Sequence, residues 1–200
     1  NTGIDAMRWA ASLGMVPTDP AVAAVAAGSD PLMVVTTHRR EHWEGGIERI
    51  ATAVATLAER RPHTRFVVPM HPNPIVRHQI VPHLGDRPNV VLTEPMAYVE
   101  FASLLARSDL VLTDSGGIQE EAPVVGTPVL VAREETERTE GVDAGTLRLV
   151  GTDPIRIVEW SERLLDDTPE RRHMLAAENP YGDGRSAPRI ADALRFLAGD

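Results

Sequence analysis

Short runs of β-branched and aliphatic residues recur along the chain, and each gives way to a turn signal and then to apolar positions spaced for a helix. The run PLMVVTTH (31–38) precedes Ile47, Ile50, Val54, Leu57 and Ala58, which fall on one face of a helix. RFVVPMH (65–71) leads into Asn73-Pro74, an N-cap followed by a residue suited to a first helical turn. NVVLTE (89–94) precedes Tyr98, Phe101 and Leu105, and LVLTDS (110–115) opens into GIQEEAPVVG. PVLVAR (128–133) runs into a polar loop, and LRLVGT (147–152) ends at Asp153-Pro154, the start of a helix carrying Ile155, Val158 and Leu165. A helix is expected at the start of the chain (1–14), and two more near its end, the last over 185–198, joined by the turn-rich NPYGDG at 179–184. Six strands alternating with helices predict right-handed βαβ units, and so an α/β chain with a doubly wound, Rossmann-like parallel sheet.

Composition narrows this picture. Two hundred residues with 42% hydrophobic content form a single core that buries roughly 70% of the extended-chain surface. Aromatics contribute only 4%, so the core is made of Val, Leu, Ile and Ala, as expected for helices packed on a buried parallel sheet. The 29 acidic residues outnumber 20 basic ones, and the net charge of −9 argues against nucleic acid and anionic membrane as partners. With no cysteine, the chain has no disulfide, thiolate metal site or thiol nucleophile. No apolar stretch is long enough to span a bilayer and no leader pattern is visible, so a soluble, cytoplasmic protein is expected.

In open α/β sheets ligands lie beyond the carboxyl ends of the strands, where strand order reverses, which singles out the loops THRREHWEGG, HPNP, EPMAY, DSGG and REETERTEG. Ser115, Gly116 and Gly117 offer a hydroxyl and two positions without Cβ at a helix start, where backbone N–H groups can approach a phosphate. The same glycines would also serve a plain strand-to-helix turn. Glu120 and Glu121 follow on that helix; a carboxylate with two acceptor oxygens suits a pair of ribose hydroxyls, and it equally suits a solvated helix face. Arg133 and Arg138 flank EETE, and a guanidinium pairs either with phosphate or with neighbouring acids. His38, Arg39 and Arg40 close the first strand, where an imidazole can hold a departing phosphate oxygen or fill a structural role. His38 and His42 have HxxxH spacing but lie across a strand end without an intervening HExxH glutamate, so no metal is expected. There is no nucleophile elbow, kinase signature or dinucleotide fingerprint.

Taken in order from about residue 31 to 184, THRREHWEGG, HPNP, AYVEFASLLARSDLVLTDSGGIQEEAPVVGTPVLVAREETERTEGVDAGTLRLVGTD and NPYGDG closely resemble the non-hydrolysing UDP-N-acetylglucosamine 2-epimerases. The resemblance implies the C-terminal half of a type B glycosyltransferase-like fold of two Rossmann-like domains. Residues 1–200 would form a single UDP-binding domain, with the opening helix leading out of a missing N-terminal domain and the last helix returning to it; a chain opening on Asn1 fits that expectation. The implied reaction interconverts UDP-N-acetylglucosamine and UDP-N-acetylmannosamine through anti elimination of UDP and re-addition, without a cofactor, as a step of polysaccharide biosynthesis. Carried over by position, Ser115, Gly116 and Gly117 would bind the phosphates, Glu121 the ribose, and Phe101 and Met96 the uracil. Members commonly carry Gln where this chain has Met96, so a backbone contact is expected there. Arg138 would serve the nucleotide and His38 would act on the pyrophosphate, while Arg39 and His71 match an allosteric site for a second UDP-N-acetylglucosamine. The carboxylates that move the C2 proton, and most of a homodimer surface, belong to the other half of the family's chain. The isolated domain is therefore expected to be inactive. Rival assignments are the C-terminal domain of a nucleotide-sugar glycosyltransferase and a stand-alone nucleotide-binding module.

Overall fold

In the computed structural model, which describes residues 1–198, six parallel strands form one sheet; positions 199 and 200 of the expected domain lie outside the described residues. The strands are β1 (Leu32–Thr36), β2 (Arg65–Pro69), β3 (Val90–Thr93), β4 (Leu110–Thr113), β5 (Val129–Val131) and β6 (Leu147–Leu149), in the order β3-β2-β1-β4-β5-β6. Pairing runs outward in both directions from β1 and β4, so strand order reverses between these two neighbours. Thr36 pairs with Thr113 at their carboxyl ends, where the two hydroxyls stand 2.7 Å apart.

Side chains of β1 alternate between the two faces, as a pleated strand requires. Met33 and Val35 join one apolar cluster with Phe66, Leu112 and the inner faces of α3 (Gly46–Arg60), α4 (Pro74–Leu84) and α8 (Pro154–Leu165). Leu32 and Val34 join the other, with Val111, Val129 and residues of α1 (Thr2–Ser12), α2 (Pro20–Ala27) and α5 (Tyr98–Arg107). The helix after β4, α6 (Gly116–Glu121), tightens into a 3-10 turn at Ala122–Val125. The remaining helices are α7 (Thr139–Ala144), α9 (Pro169–Ala176) and α10 (Ser186–Ala198).

Asx–Pro and Thr–Pro pairs start four helices: the side chains of Asp19, Asn73, Asp153 and Thr168 each accept a first-turn N–H, with proline directly after. The start at Asp153-Pro154 is as expected, but the buried face of α8 is Ile157, Val158, Ser161 and Leu164, while Ile155 projects into solvent. The segment after β5, expected to be wholly loop, includes α7, and α2 is a helix that hydrophobic periodicity did not announce. α10 buries none of its own residues and leaves Ile190, Leu194, Phe196 and Leu197 exposed. Its first turn is held to α1 by the Asp5 carboxylate, which accepts from the N–H groups of Ser186 and Ala187 at 3.1 and 2.9 Å. None of the described helices is long and apolar enough to cross a membrane.

Candidate nucleotide site at the carboxyl ends of the strands

The loops that follow β1, β4 and β5 meet at Gly116. Its N–H, with those of Gly117 and Ile118, belongs to the first turn of α6, where no preceding helical carbonyl exists to accept it. The Ser115 N–H, by contrast, is already engaged by the Thr113 hydroxyl at 3.0 Å. An ideal Cβ on Gly116 would stand 3.5 Å from the guanidinium groups of both Arg39 and Arg138, so two cations lean over the spot where the missing side chain leaves room. Gly116 is covered by them, while Gly117 is exposed and Ser115 half-buried. First-turn amides, the positive end of a helix and two planar guanidinium forks thus converge on one spot, donor groups of the kind that suit an anion.

Each arginine is aimed by its own contacts. Arg138 donates from Nε to Glu120 at 2.7 Å, and its backbone N–H donates to the Thr136 hydroxyl at 3.1 Å. That hydroxyl donates to Oε1 of the fully buried Gln119 at 2.6 Å, and Gln119 Nε2 donates back to the Ser115 carbonyl at 3.2 Å. The Arg138 carbonyl accepts from the Tyr181 hydroxyl at 3.1 Å, and the Tyr181 oxygen accepts the Gly141 N–H at 3.0 Å. Arg39 donates from Nε to the Asp114 carbonyl at 3.1 Å. Glu137 lies against both guanidinium groups, 3.3 Å from Arg39 and 3.4 Å from Arg138. It also accepts from Arg133 at 2.7 Å; its own backbone N–H and then Arg133 hold its carboxyl down at about 2.

Asp114, directly after β4, is fully buried and binds the exit of the neighbouring strand β1. It accepts from the Thr37 hydroxyl at 3.0 Å, from the backbone N–H groups of His38 and Arg39 at 2.9 Å each, and from the imidazoles of His38 and His42 at 3.1 and 3.2 Å. Burial opposes its ionisation, but bonds from the two imidazoles and two amides outweigh burial and hold the carboxyl far below the usual carboxylate range. The bond to Asp114 raises the His38 imidazole above its ordinary value despite partial burial. His71, at the exit of β2, stacks on His38 with ring centroids 6.1 Å apart. Arg39 and His71 therefore flank His38 rather than forming a separate cluster.

Glu121 is half-buried and accepts the Tyr98 hydroxyl at 3.0 Å through Oε1. Among the described residues no hydrogen bond reaches its Oε2. Burial pushes the Glu121 carboxyl up and, with the adjacent Glu121 charge, pushes the Tyr98 phenol up to about 12. Met96 and Phe101 are half-buried, packed against the apolar cluster that includes Ala102, Leu104 and Leu105 of α5. Arg39 and Arg138, expected from the sequence, meet at Gly116, and His38 bonds to Asp114; Asp114, Gln119, Thr136 and Tyr181, which hold these groups in place, are not among the residues expected from the sequence. Only the Asp114 role had a local signal, a carboxylate at the end of an otherwise apolar strand. No group of His, Asp and Glu among the described residues could hold a metal ion.

A family model described as UDP-N-acetylglucosamine 2-epimerase matches residues 1–195. The chain belongs to the UDP-N-acetylglucosamine 2-epimerase family. The epimerase of Escherichia coli (strain K12) is 47% identical over 201 residues, covering 98% of this chain and 53% of that protein. Among solved structures, the S. aureus MnaA–UDP co-structure superposes with a TM-score of 0.89 at 37% identity, over 100% of this chain and 53% of that one. The UDP-GlcNAc 2-epimerase from Neisseria meningitidis bound to UDP-GlcNAc gives 0.85 at 37%, over 97% and 53%. The glycosyltransferase WaaG, at 21% identity, shares the fold alone, with a TM-score of 0.59 over 88% of this chain and 51% of that one. The chain thus spans about half the length of the epimerases it matches.

Proposed function

We propose that this chain is the UDP-binding half of a UDP-N-acetylglucosamine 2-epimerase, which interconverts the gluco and manno sugar nucleotides by eliminating UDP and re-adding it with the opposite stereochemistry. The observation that carries the reading is the pair of guanidinium groups converging on Gly116 above free first-turn amides. In this reading the pyrophosphate lies between Arg39 and Arg138, with Ser115, Gly116 and Gly117 beneath it. Glu121 takes the ribose hydroxyls through Oε2, its other oxygen being tied to Tyr98. Met96, by its backbone, and Phe101 border the uracil. His38 stands beside the phosphate and stabilises the charge that develops as the bond from C1 to the phosphate oxygen breaks.

Elimination succeeds only if UDP stays bound while the sugar is an unsaturated intermediate, so a site that grips the diphosphate from several sides serves both half-reactions. Removal and return of the C2 proton require groups outside this chain, in the remainder of the length seen in the relatives. A second sugar nucleotide would then reach the site from the side of His71, sharing Arg39 with the diphosphate already bound. A cytoplasmic location and a homodimer of the longer polypeptide fit the same reading.

Calorimetric titration of the purified chain with UDP tests it. Saturable binding is expected, weakened by about 10- to 100-fold in both Arg138→Ala and Glu121→Ala, the loss typical of one charge-assisted hydrogen bond. Equal affinity in all three proteins, or no saturation in any, contradicts it.

A further inference from the structure

Two imidazoles share the one fully buried carboxylate at the strand-order reversal, and its two oxygens are used differently. Oδ2 accepts from Thr37 Oγ1 and the Arg39 N–H at 3.0 and 2.9 Å and from His42 Nδ1 at 3.2 Å, all of which fix the loop leaving β1. Oδ1 receives the His38 ring nitrogen Nδ1 at 3.1 Å, and the His38 backbone N–H spans the two oxygens. His42 is buried, whereas the side chain of His38 keeps 43% of its surface exposed. An ionised carboxylate only accepts, so both rings must carry hydrogen on Nδ1. For His38 that directs Nε2 away from the interior.

We propose that Asp114 is a positioning residue for diphosphate departure: it fixes His38 with Nδ1–H turned inward on the carboxylate and Nε2 turned outward, free to meet the leaving oxygen of the diphosphate. The inference rests on the UDP-binding reading above and adds to it the residue that orients the imidazole. The arrangement is bistable only through protonation at Nε2. With the ring cationic, Nε2–H faces the phosphate as a donor; with the ring neutral, the same atom presents a lone pair to an anion. The groups around His38 set that balance. Asp114 favours the cation through its hydrogen bond, partial burial and the Arg39 charge oppose it, and His42 and His71 are further ionisable neighbours, with Glu137 beyond Arg39. Because the folded value is raised, the cation persists to a higher pH than in a free histidine, and the hold on a diphosphate weakens as pH rises through that raised value.

The test is long-range proton–nitrogen NMR of the histidine rings in the purified chain, run across pH with and without UDP, alongside calorimetry with UDP and with uridine. Expected results are a His38 ring protonated on Nδ1 at every pH, and a UDP affinity falling about tenfold across the His38 titration while uridine affinity stays level. In Asp114→Asn the His38 titration moves to lower pH and the fall in UDP affinity moves with it, uridine binding being retained. A neutral His38 carrying its hydrogen on Nε2, or an unshifted pH profile in Asp114→Asn, overturns the inference while leaving the UDP reading intact. Failure of the unmodified chain to bind UDP at any pH overturns both. Should Asp114→Asn not fold, the ring tautomer and pH profile of the unmodified chain decide, with His38→Gln expected to bind UDP without pH dependence.

Discussion

Glu120 and Glu121 are adjacent yet serve different partners, because successive helical positions point about 100° apart. Glu120 holds Arg138 through Nε and so turns the outer edge of the guanidinium towards Gly116. Glu121 lies against Tyr98 with one oxygen in reserve. Gly116 is the position where a single methyl discriminates best. At 3.5 Å from both arginines a Cβ makes ordinary contact and strains nothing, and alanine in a helix restricts the unfolded chain. Gly116→Ala should therefore leave the melting temperature unchanged or raise it by about 1–3 °C, while weakening UDP binding by about tenfold or more. A scanning fluorimetry trace paired with a UDP titration reads both quantities, and equal UDP affinity would mean that the phosphate does not approach there. The sequence marks Asp114 only as a carboxylate closing an apolar run; its partners could not be read there. Its partners Thr37, His38, Arg39 and His42 are 72 to 77 residues away, and only the pairing of β1 with β4 brings them together. Its protonation behaviour gives a further expectation. A carboxyl held low in the folded state contributes stability that is present above its unfolded value and lost as pH falls. Acid unfolding followed by circular dichroism should set in below about pH 4, and Asp114→Asn should remove part of that acid sensitivity along with part of the stability at neutral pH.

At the scale of elements, the hydrophobic runs marked all six strands, because strands buried on both faces are nearly continuous in Val, Leu and Ile. Helices with a wide apolar stripe, such as α3, were equally legible. Two were not. α2 is apolar throughout and lacks a polar face, so periodicity is silent; its signal is Asp19-Pro20, the same cap-and-proline pair that starts α4 and α8. α7 is six residues long and polar, and it is fastened at its start by Tyr181 from 40 positions downstream. Gly141 is the close-packed point of that fastening, since a Cβ there would press on Leu147 at 2.6 Å and on the Tyr181 hydroxyl. Gly141→Ala is expected to cost about 1–3 kcal/mol by overpacking and to lower the melting temperature by about 3–10 °C. Because Tyr181 also holds the Arg138 carbonyl, UDP affinity should fall as well; an unchanged melting temperature would show that α7 can shift to make room.

Across the whole molecule, the five loops at the carboxyl ends of β1 to β5 lie on one side of the sheet, and one concavity of the described residues lies apart from them, between Trp160 and His173. On the proposed reading this half holds the nucleotide, whereas water exclusion and proton transfer at C2 need an opposing surface. The purified chain mixed with UDP-N-acetylglucosamine should consequently give no UDP-N-acetylmannosamine and no 2-acetamidoglucal by proton NMR, and turnover by the chain alone would show that it carries its own acid and base. A diphosphate bound as proposed would rest on the amides at the front of α6. Backbone amide chemical shifts recorded during a UDP titration of the chain examine that placement directly. Large, saturating shifts should centre on Gly116, Gly117 and Ile118, with the Arg39 and Arg138 side chains following. Shifts that leave those amides still, or that gather instead around Trp160 and His173, would contradict it.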